Sequence, residues 1–197
     1  VSHPERLLIT HWYAPPQLIP LVDVVKGPRT DDAVVERIAA VLREMGKRPV
    51  IFKKFIAGYL VSRLQFALQR EVFYLLDNGY LSPAELDEAA RWGLALRMMV
   101  VGVVQRIDFG GLDLSAINLE KPSFTPAPED YRPTKLFELV KAGHLGVKTG
   151  RGFYDYGNRT EAEVCKERDV KLLRLLKLLR TEPPPASASG NGSPQSA

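Results

Sequence analysis

The chain is poor in the residues that most often carry redox or metal chemistry: it has one cysteine and three histidines in 197 residues. Cys165 alone closes no disulfide within the chain and builds no cysteine-based zinc site, which suits a reducing cytoplasm. Charge of one sign is equally scarce. The 27 basic and 23 acidic residues leave a net charge of +4, and the signs are interspersed, unlike the concentrated footprint of a nucleic-acid binder. The longest apolar run, Met98 to Val104, falls far short of the ~20 residues that cross a bilayer, so no membrane span is expected. No charged-then-apolar signal pattern opens the chain. Neither a Walker loop nor Gly-x-Gly-x-x-Gly occurs, so no self-contained nucleotide site is expected.

What is present reads as an ordinary folded protein, with 45% apolar and 25% charged residues. A β-like run, Leu7 to Tyr13, is separated by Pro15, Pro16 and Pro20 from a second strand candidate, Leu21 to Val25. The first run has no preceding element to pair with, so the chain is expected to start mid-domain. Thr30 is expected to cap a helix over 31 to 45, stopped by Gly46, and Pro49 to Phe52 is a short strand candidate. A largely apolar helix opens near Gly58 and stops at Asn78-Gly79. Ser82-Pro83-Ala84-Glu85 carries the capping-box spacing of a new helix start. Met98 to Phe109 is expected to be helical up to Gly110-Gly111. Prolines 122, 126, 128 and 133 then impose a structured loop, followed by a short helix over 134 to 142 and a glycine-rich loop over 143 to 154. In the last helix, about 161 to 180, basic residues spiral among leucines. That pattern is read as a packed helix with its charged heads in water rather than as a membrane contact. Residues 181 to 197, without an aromatic, are expected to be a disordered tail.

Among the histidines, His3 lies in the frayed start and His144 in a loop. His11 ends a strand candidate, and Asp23 sits twelve residues on, within the strand that returns beside it. A carboxylate beside an imidazole fixes the tautomer and raises the basicity that a proton-transferring histidine requires. The spacing alone also fits a strand-end histidine and an unrelated charge.

Five landmarks occur in order: His11-Trp12-Tyr13-Ala14-Pro15-Pro16, Leu21-Val22-Asp23-Val24-Val25, Gly46-Lys47-Arg48-Pro49-Val50, Ala57 to Leu64, and Gly146 to Tyr154. Together they resemble the 3-hydroxyacyl-CoA dehydrogenase family over about residues 6 to 156, nearest the branch of lambda-crystallin and gulonate 3-dehydrogenase. The resemblance implies a mainly α fold. Residues 1 to 28 would be the last edge strands of a truncated Rossmann sheet, and 29 to 180 a helical substrate and dimerisation domain. NAD would be bound chiefly by a domain outside the chain, leaving the isolated chain inactive. His11 matches the catalytic histidine and Asp23 falls where the family has the glutamate that orients it. Ser62 falls where many members have an asparagine near the substrate, and Ala14 where the family usually has one. Lys148 matches a lysine that reaches the nicotinamide end of the cofactor. The implied activity is oxidation of a 3-hydroxy acid or 3-hydroxyacyl-CoA by a homodimer. A catalytically silent helical dimerisation module is the alternative.

Overall fold

The computed structural model describes residues 1 to 180. Strand β1 (Leu8–Trp12) runs antiparallel to β2 (Leu21–Lys26). The proline-rich link between them folds on itself, with the Leu18 and Ile19 amides donating to the Pro15 carbonyl at 3.0 and 2.9 Å. Lys47 Nζ staples that link by donating to the carbonyls of Pro16 and Ile19. From β2 the chain passes through helix α1 (Asp32–Glu44) to β3 (Arg48–Phe52), which lies parallel to β2 on its other side.

Helix α1 forms because Val35, Ala39 and Leu42 recur at spacings of four and three, giving one apolar stripe. That stripe covers Val22 and Val24 of β2, with Leu8 and Ile38 at its edge, and this is the buried core of the N-terminal region. Asp31, rather than Thr30, stands at the start of α1. Thr30 is instead buried. Its hydroxyl accepts from the Gly27 amide at 2.8 Å and donates to the Leu7 carbonyl, tying the entrance of β1 to the turn after β2.

The expectation of a mainly α fold preceded only by leftover edge strands is therefore corrected. β2 is flanked on both sides and covered by α1, so the strands, α1 and β3 form a β-α-β unit of Rossmann type with its own core. Parallel pairing is made across a helix and leaves no hairpin signal, which is why Pro49 to Phe52 showed no partner in the sequence.

The helical region begins with α2 (Val61–Asp77) and α3 (Pro83–Ala89). Ser82 and Glu85 make both halves of the expected capping box. A π-helical segment at Ala90–Ala95 carries α3 into α4 (Leu96–Val101). The apolar run expected as one helix is broken at Gly102, whose φ of 75° ends α4, and resumes as α5 (Gln105–Gly110). Helix α6 (Leu112–Glu120), not anticipated from sequence, follows directly.

The proline-rich stretch is held to α2 by polar contacts. Glu71 Oε2 accepts from the Ala127 amide at 2.8 Å, and Asp77 Oδ2 accepts from the Tyr131 hydroxyl at 2.7 Å. Asp77 also accepts from the amides of Thr134 and Lys135, so the end of α2 caps the start of α7 (Thr134–Lys141). Burial acts to raise the Asp77 pKa, but the hydrogen bonds from Tyr131, Lys135 and Thr134 outweigh it and hold the group below its ordinary 3.8. Gly152 is required where it stands: a Cβ there would lie 2.8 Å from Gly146 Cα. Phe153 stacks on Phe73 and the Tyr154 hydroxyl donates to Asp87 at 2.7 Å, seating the glycine-rich loop on α2 and α3. Helix α8 (Glu161–Arg180) starts with a reciprocal Thr160 and Glu163 box. The expected tail, 181 to 197, lies outside the described residues. No described helix is long and apolar enough to cross a membrane.

Candidate active site

Strand alternation assigns the faces of β2. Val22 and Val24 point to α1, so Asp23 between them points to the opposite side. The antiparallel register sets His11 directly across from Asp23, and Tyr13, two residues beyond His11, comes to the same group. His11 Nδ1 lies 3.3 Å from Asp23 Oδ2, and the Tyr13 hydroxyl donates to that same oxygen at 2.5 Å. Asp23 is fully buried, and its other oxygen, Oδ1, has no hydrogen-bond partner among the described residues.

The imidazole is not sealed off, with 28% of the His11 side chain exposed. A carboxylate only accepts, so the His11 to Asp23 contact places the proton on Nδ1 and leaves Nε2 as a free acceptor. The ring is also fixed from its face. The chain enters α2 through Gly58 and Tyr59, with φ of 80° and 50°. The left-handed region costs a residue bearing a Cβ roughly 1–2 kcal/mol. That conformation lays the Tyr59 ring on His11 at 3.9 Å between centroids and 6° between planes. Tyr13 meets the imidazole edge-on at 4.7 Å, and Phe55 buttresses Tyr59 in the same manner at 6.2 Å.

Burial and the hydrogen bond to Asp23 push the Tyr13 phenol up to about 12, so it remains a proton donor across the physiological range. The Val61 backbone acts the other way, favouring the phenolate, and is outweighed.

Of the four residues singled out in the sequence, His11 and Asp23 are brought into contact. Ser62 follows Val61 in the first turn of α2 and is exposed, and no hydrogen bond joins it to His11 or Asp23 among the described residues. Lys148 lies apart in a 3-10 turn, Val147–Thr149, that packs on α8. No hydrogen bond or ion pair joins it to the other three among the described residues. Asp23 has one methylene fewer than glutamate and still reaches His11 directly, at the long end of a hydrogen bond. Tyr13 and Tyr59 went unmarked in the sequence. The period of two along β1 was a sufficient signal for Tyr13, whereas nothing local marks Tyr59. Among the described residues no group of three His, Cys, Asp or Glu side chains is placed to hold a metal ion.

The model of the 3-hydroxyacyl-CoA dehydrogenase C-terminal domain matches residues 58–156, and that of the family's NAD binding domain matches residues 1–55. The chain belongs to the 3-hydroxyacyl-CoA dehydrogenase family. It is 32% identical over 183 residues to 5-formyl-3-hydroxy-2-methylpyridine 4-carboxylate 5-dehydrogenase of Mesorhizobium japonicum, covering 91% of this chain and 58% of that protein. It is 34% identical to L-carnitine dehydrogenase of Pseudomonas aeruginosa, covering 91% and 56%. A crystal structure of 5-formyl-3-hydroxy-2-methylpyridine 4-carboxylic acid 5-dehydrogenase, described as an NAD+ dependent dismutase, superposes with a TM-score of 0.83 at 29% identity, over 93% of this chain and 59% of that one. The chain thus spans a little over half the length of these relatives.

These matches complete the correction to the fold. The NAD binding domain is represented within the chain by residues 1–55, rather than lying wholly outside it, and is followed by the helical domain. The residues present fit the reacting end of such a cofactor and its substrate. They offer a partly exposed imidazole whose tautomer is set by a fully buried carboxylate, on the face of the sheet away from α1.

Proposed function

We propose that this chain is the catalytic and helical portion of an NAD-dependent dehydrogenase that converts the 3-hydroxyl of a small acid, free or as its CoA thioester, to a keto group. The observation that carries the reading is the His11 and Asp23 contact, with Nδ1 engaged and Nε2 free. NAD, when bound, supplies the hydride acceptor. His11 Nε2 takes the hydroxyl proton, and Asp23 holds Nδ1–H and offsets the charge that develops on the ring. Ser62, exposed in the first turn of α2, assists substrate placement, and Lys148 reaches toward the nicotinamide end of the cofactor. L-Carnitine, named for one relative, is a 3-hydroxy acid without CoA and defines the free-acid arm of the substrate class, whereas the pyridine carboxylate named for another is dehydrogenated at its 5-formyl carbon and lies outside that class.

The working unit in this reading is a homodimer in the cytoplasm. Phe66 on α2, Val100 on α4 and Phe109 on α5 are 69%, 75% and 75% exposed, and a second copy of the chain covers these faces.

The test is His11→Gln in the full-length protein, with NAD reduction followed on L-carnitine and 3-hydroxybutyryl-CoA. The rate should fall by ~10²–10⁴ with the fold intact by circular dichroism. An unchanged rate defeats the assignment. A native protein that reduces NAD with neither leaves the silent dimerisation module as the better account.

A further inference from the structure

One carboxylate oxygen serves two donors. Asp23 Oδ2 takes the Tyr13 hydroxyl at 2.5 Å and His11 Nδ1 at 3.3 Å, while Oδ1 is buried with no partner among the described residues. The short bond is the one to tyrosine. A carboxylate committed to a strong donor has less charge density left for a second, and the His11 bond is accordingly at the long limit.

We propose that Tyr13 is a positioning residue for the proton-accepting histidine: by holding Asp23 Oδ2 it fixes the carboxylate beneath the ring and limits how tightly Asp23 grips Nδ1. This rests on the reading of His11 as proton acceptor. Two observations support it. Tyr13 touches both partners, donating to Asp23 and meeting the His11 ring edge-on at 4.7 Å. No third donor competes for the carboxylate among the described residues. The ionisable groups that touch the imidazole are Asp23 from β2, Tyr13 beyond β1 and Tyr59 ahead of α2, while β3 sets Val50 beside Asp23.

The function of the division is to keep His11 an acceptor of intermediate strength. A tyrosine that stays protonated is a constant donor, so the share of Asp23 left for His11 does not change as the histidine gains and loses its proton. Tyr13 exchanges no atoms with substrate in this scheme. It acts through Asp23 alone.

The experiment is nitrogen NMR of the histidine rings in the full chain, without substrate or cofactor. The chain has three histidines, and His11→Gln assigns the signal. In Tyr13→Phe, Oδ2 is released to His11 and the Nδ1 resonance should shift in the direction of a stronger hydrogen bond. In the full-length enzyme the pH at half-maximal oxidation should rise by on the order of one unit. Should Tyr13→Phe fail to fold, 3-fluorotyrosine placed at position 13 keeps the volume and donates more strongly, so the resonance should shift the opposite way. A His11 resonance that neither substitution moves overturns the proposal and leaves Tyr13 a packing residue. The resonance is read without turnover. An active His11→Gln enzyme therefore sinks the reading of His11 as proton acceptor while the resonance still reports whether Tyr13 sets the Asp23 to His11 bond, and an unmoved resonance sinks this inference without touching that reading.

Discussion

Asp23→Asn separates what the buried carboxylate does for chemistry from what it does for the fold. The substitution keeps the shape. An amide oxygen at the place of Oδ2 still accepts from Tyr13 and from His11, and the amide nitrogen takes the place of Oδ1, which has no partner to lose. The two bonds change from charge-assisted, about 1.5–3 kcal/mol each, to neutral, about 0.5–1.5 kcal/mol, a loss of roughly 2–3 kcal/mol for the pair. Against that, a carboxylate that is fully buried no longer has to be stripped of water, a cost of several kcal/mol per ion. The amide's own N–H donors, buried without an acceptor at the Oδ1 position, cost about 1–3 kcal/mol in turn, so thermal stability should stay close to the native value. Catalysis should not. The imidazolium formed on proton transfer loses a charged partner and keeps a neutral one, a difference of about 1–1.5 kcal/mol for a bond already stretched to 3.3 Å. That is roughly tenfold in rate. The assay is NAD reduction by the full-length enzyme beside a thermal melt of the same sample. A variant that melts as late as the native protein and turns over within about twofold of it would refute the reasoning, because the carboxylate would then be structural only.

Two further outcomes are expected. Tyr13, Tyr131 and Tyr154 are each raised to about 12 from 10.0, the first and last chiefly by burial and Tyr131 chiefly by its hydrogen bond to Asp77. A raised phenol stabilises the fold below its unfolded value and loses that contribution as pH climbs through the folded one. Urea midpoints should thus be level up to about pH 10 and fall toward pH 12, and a level profile across that window contradicts the three hydrogen bonds. Phe66→Asp should shift sedimentation from dimer to monomer at tens of micromolar if its exposed face is a subunit contact, whereas a native protein that is monomeric there removes the homodimer.

Much of the site was legible because it is local. The His11 and Asp23 contact follows from two strands joined by a proline turn, where period two and a spacing of twelve fix which side chains face each other. The Ser82 and Glu85 box is encoded within four residues. What the sequence concealed depends on distant partners. Parallel pairing of β3 with β2 is decided by α1 between them, so the sheet looked like two leftover strands. Thr30 has the chemistry of a helix cap, yet the Leu7 carbonyl, 23 residues away, claims its hydroxyl. Gly102 sits in a run of valines and reads as a tolerated glycine, although its positive φ divides α4 from α5. In α6, Leu112, Leu114, Ile117 and Leu119 follow neither a helical stripe nor a strict alternation. Tyr59 gave no signal, because its role depends on a backbone angle that no neighbouring residue dictates.

The stack of Tyr59 on His11 also orders events in time. Asp23 reaches His11 by closing twelve residues of chain, whereas Tyr59 must close 59 − 11 = 48. Each doubling of a loop adds about 0.6 kcal/mol of closure entropy, so two doublings make the second contact roughly 1.2 kcal/mol dearer in the unfolded ensemble. The imidazole and carboxylate can therefore meet while the helices are still unformed, and the aromatic cover arrives only when α2 docks. A nascent chain carries the His11 and Asp23 pair before it carries the ring that steadies it, and holds all three together only when its two regions have met.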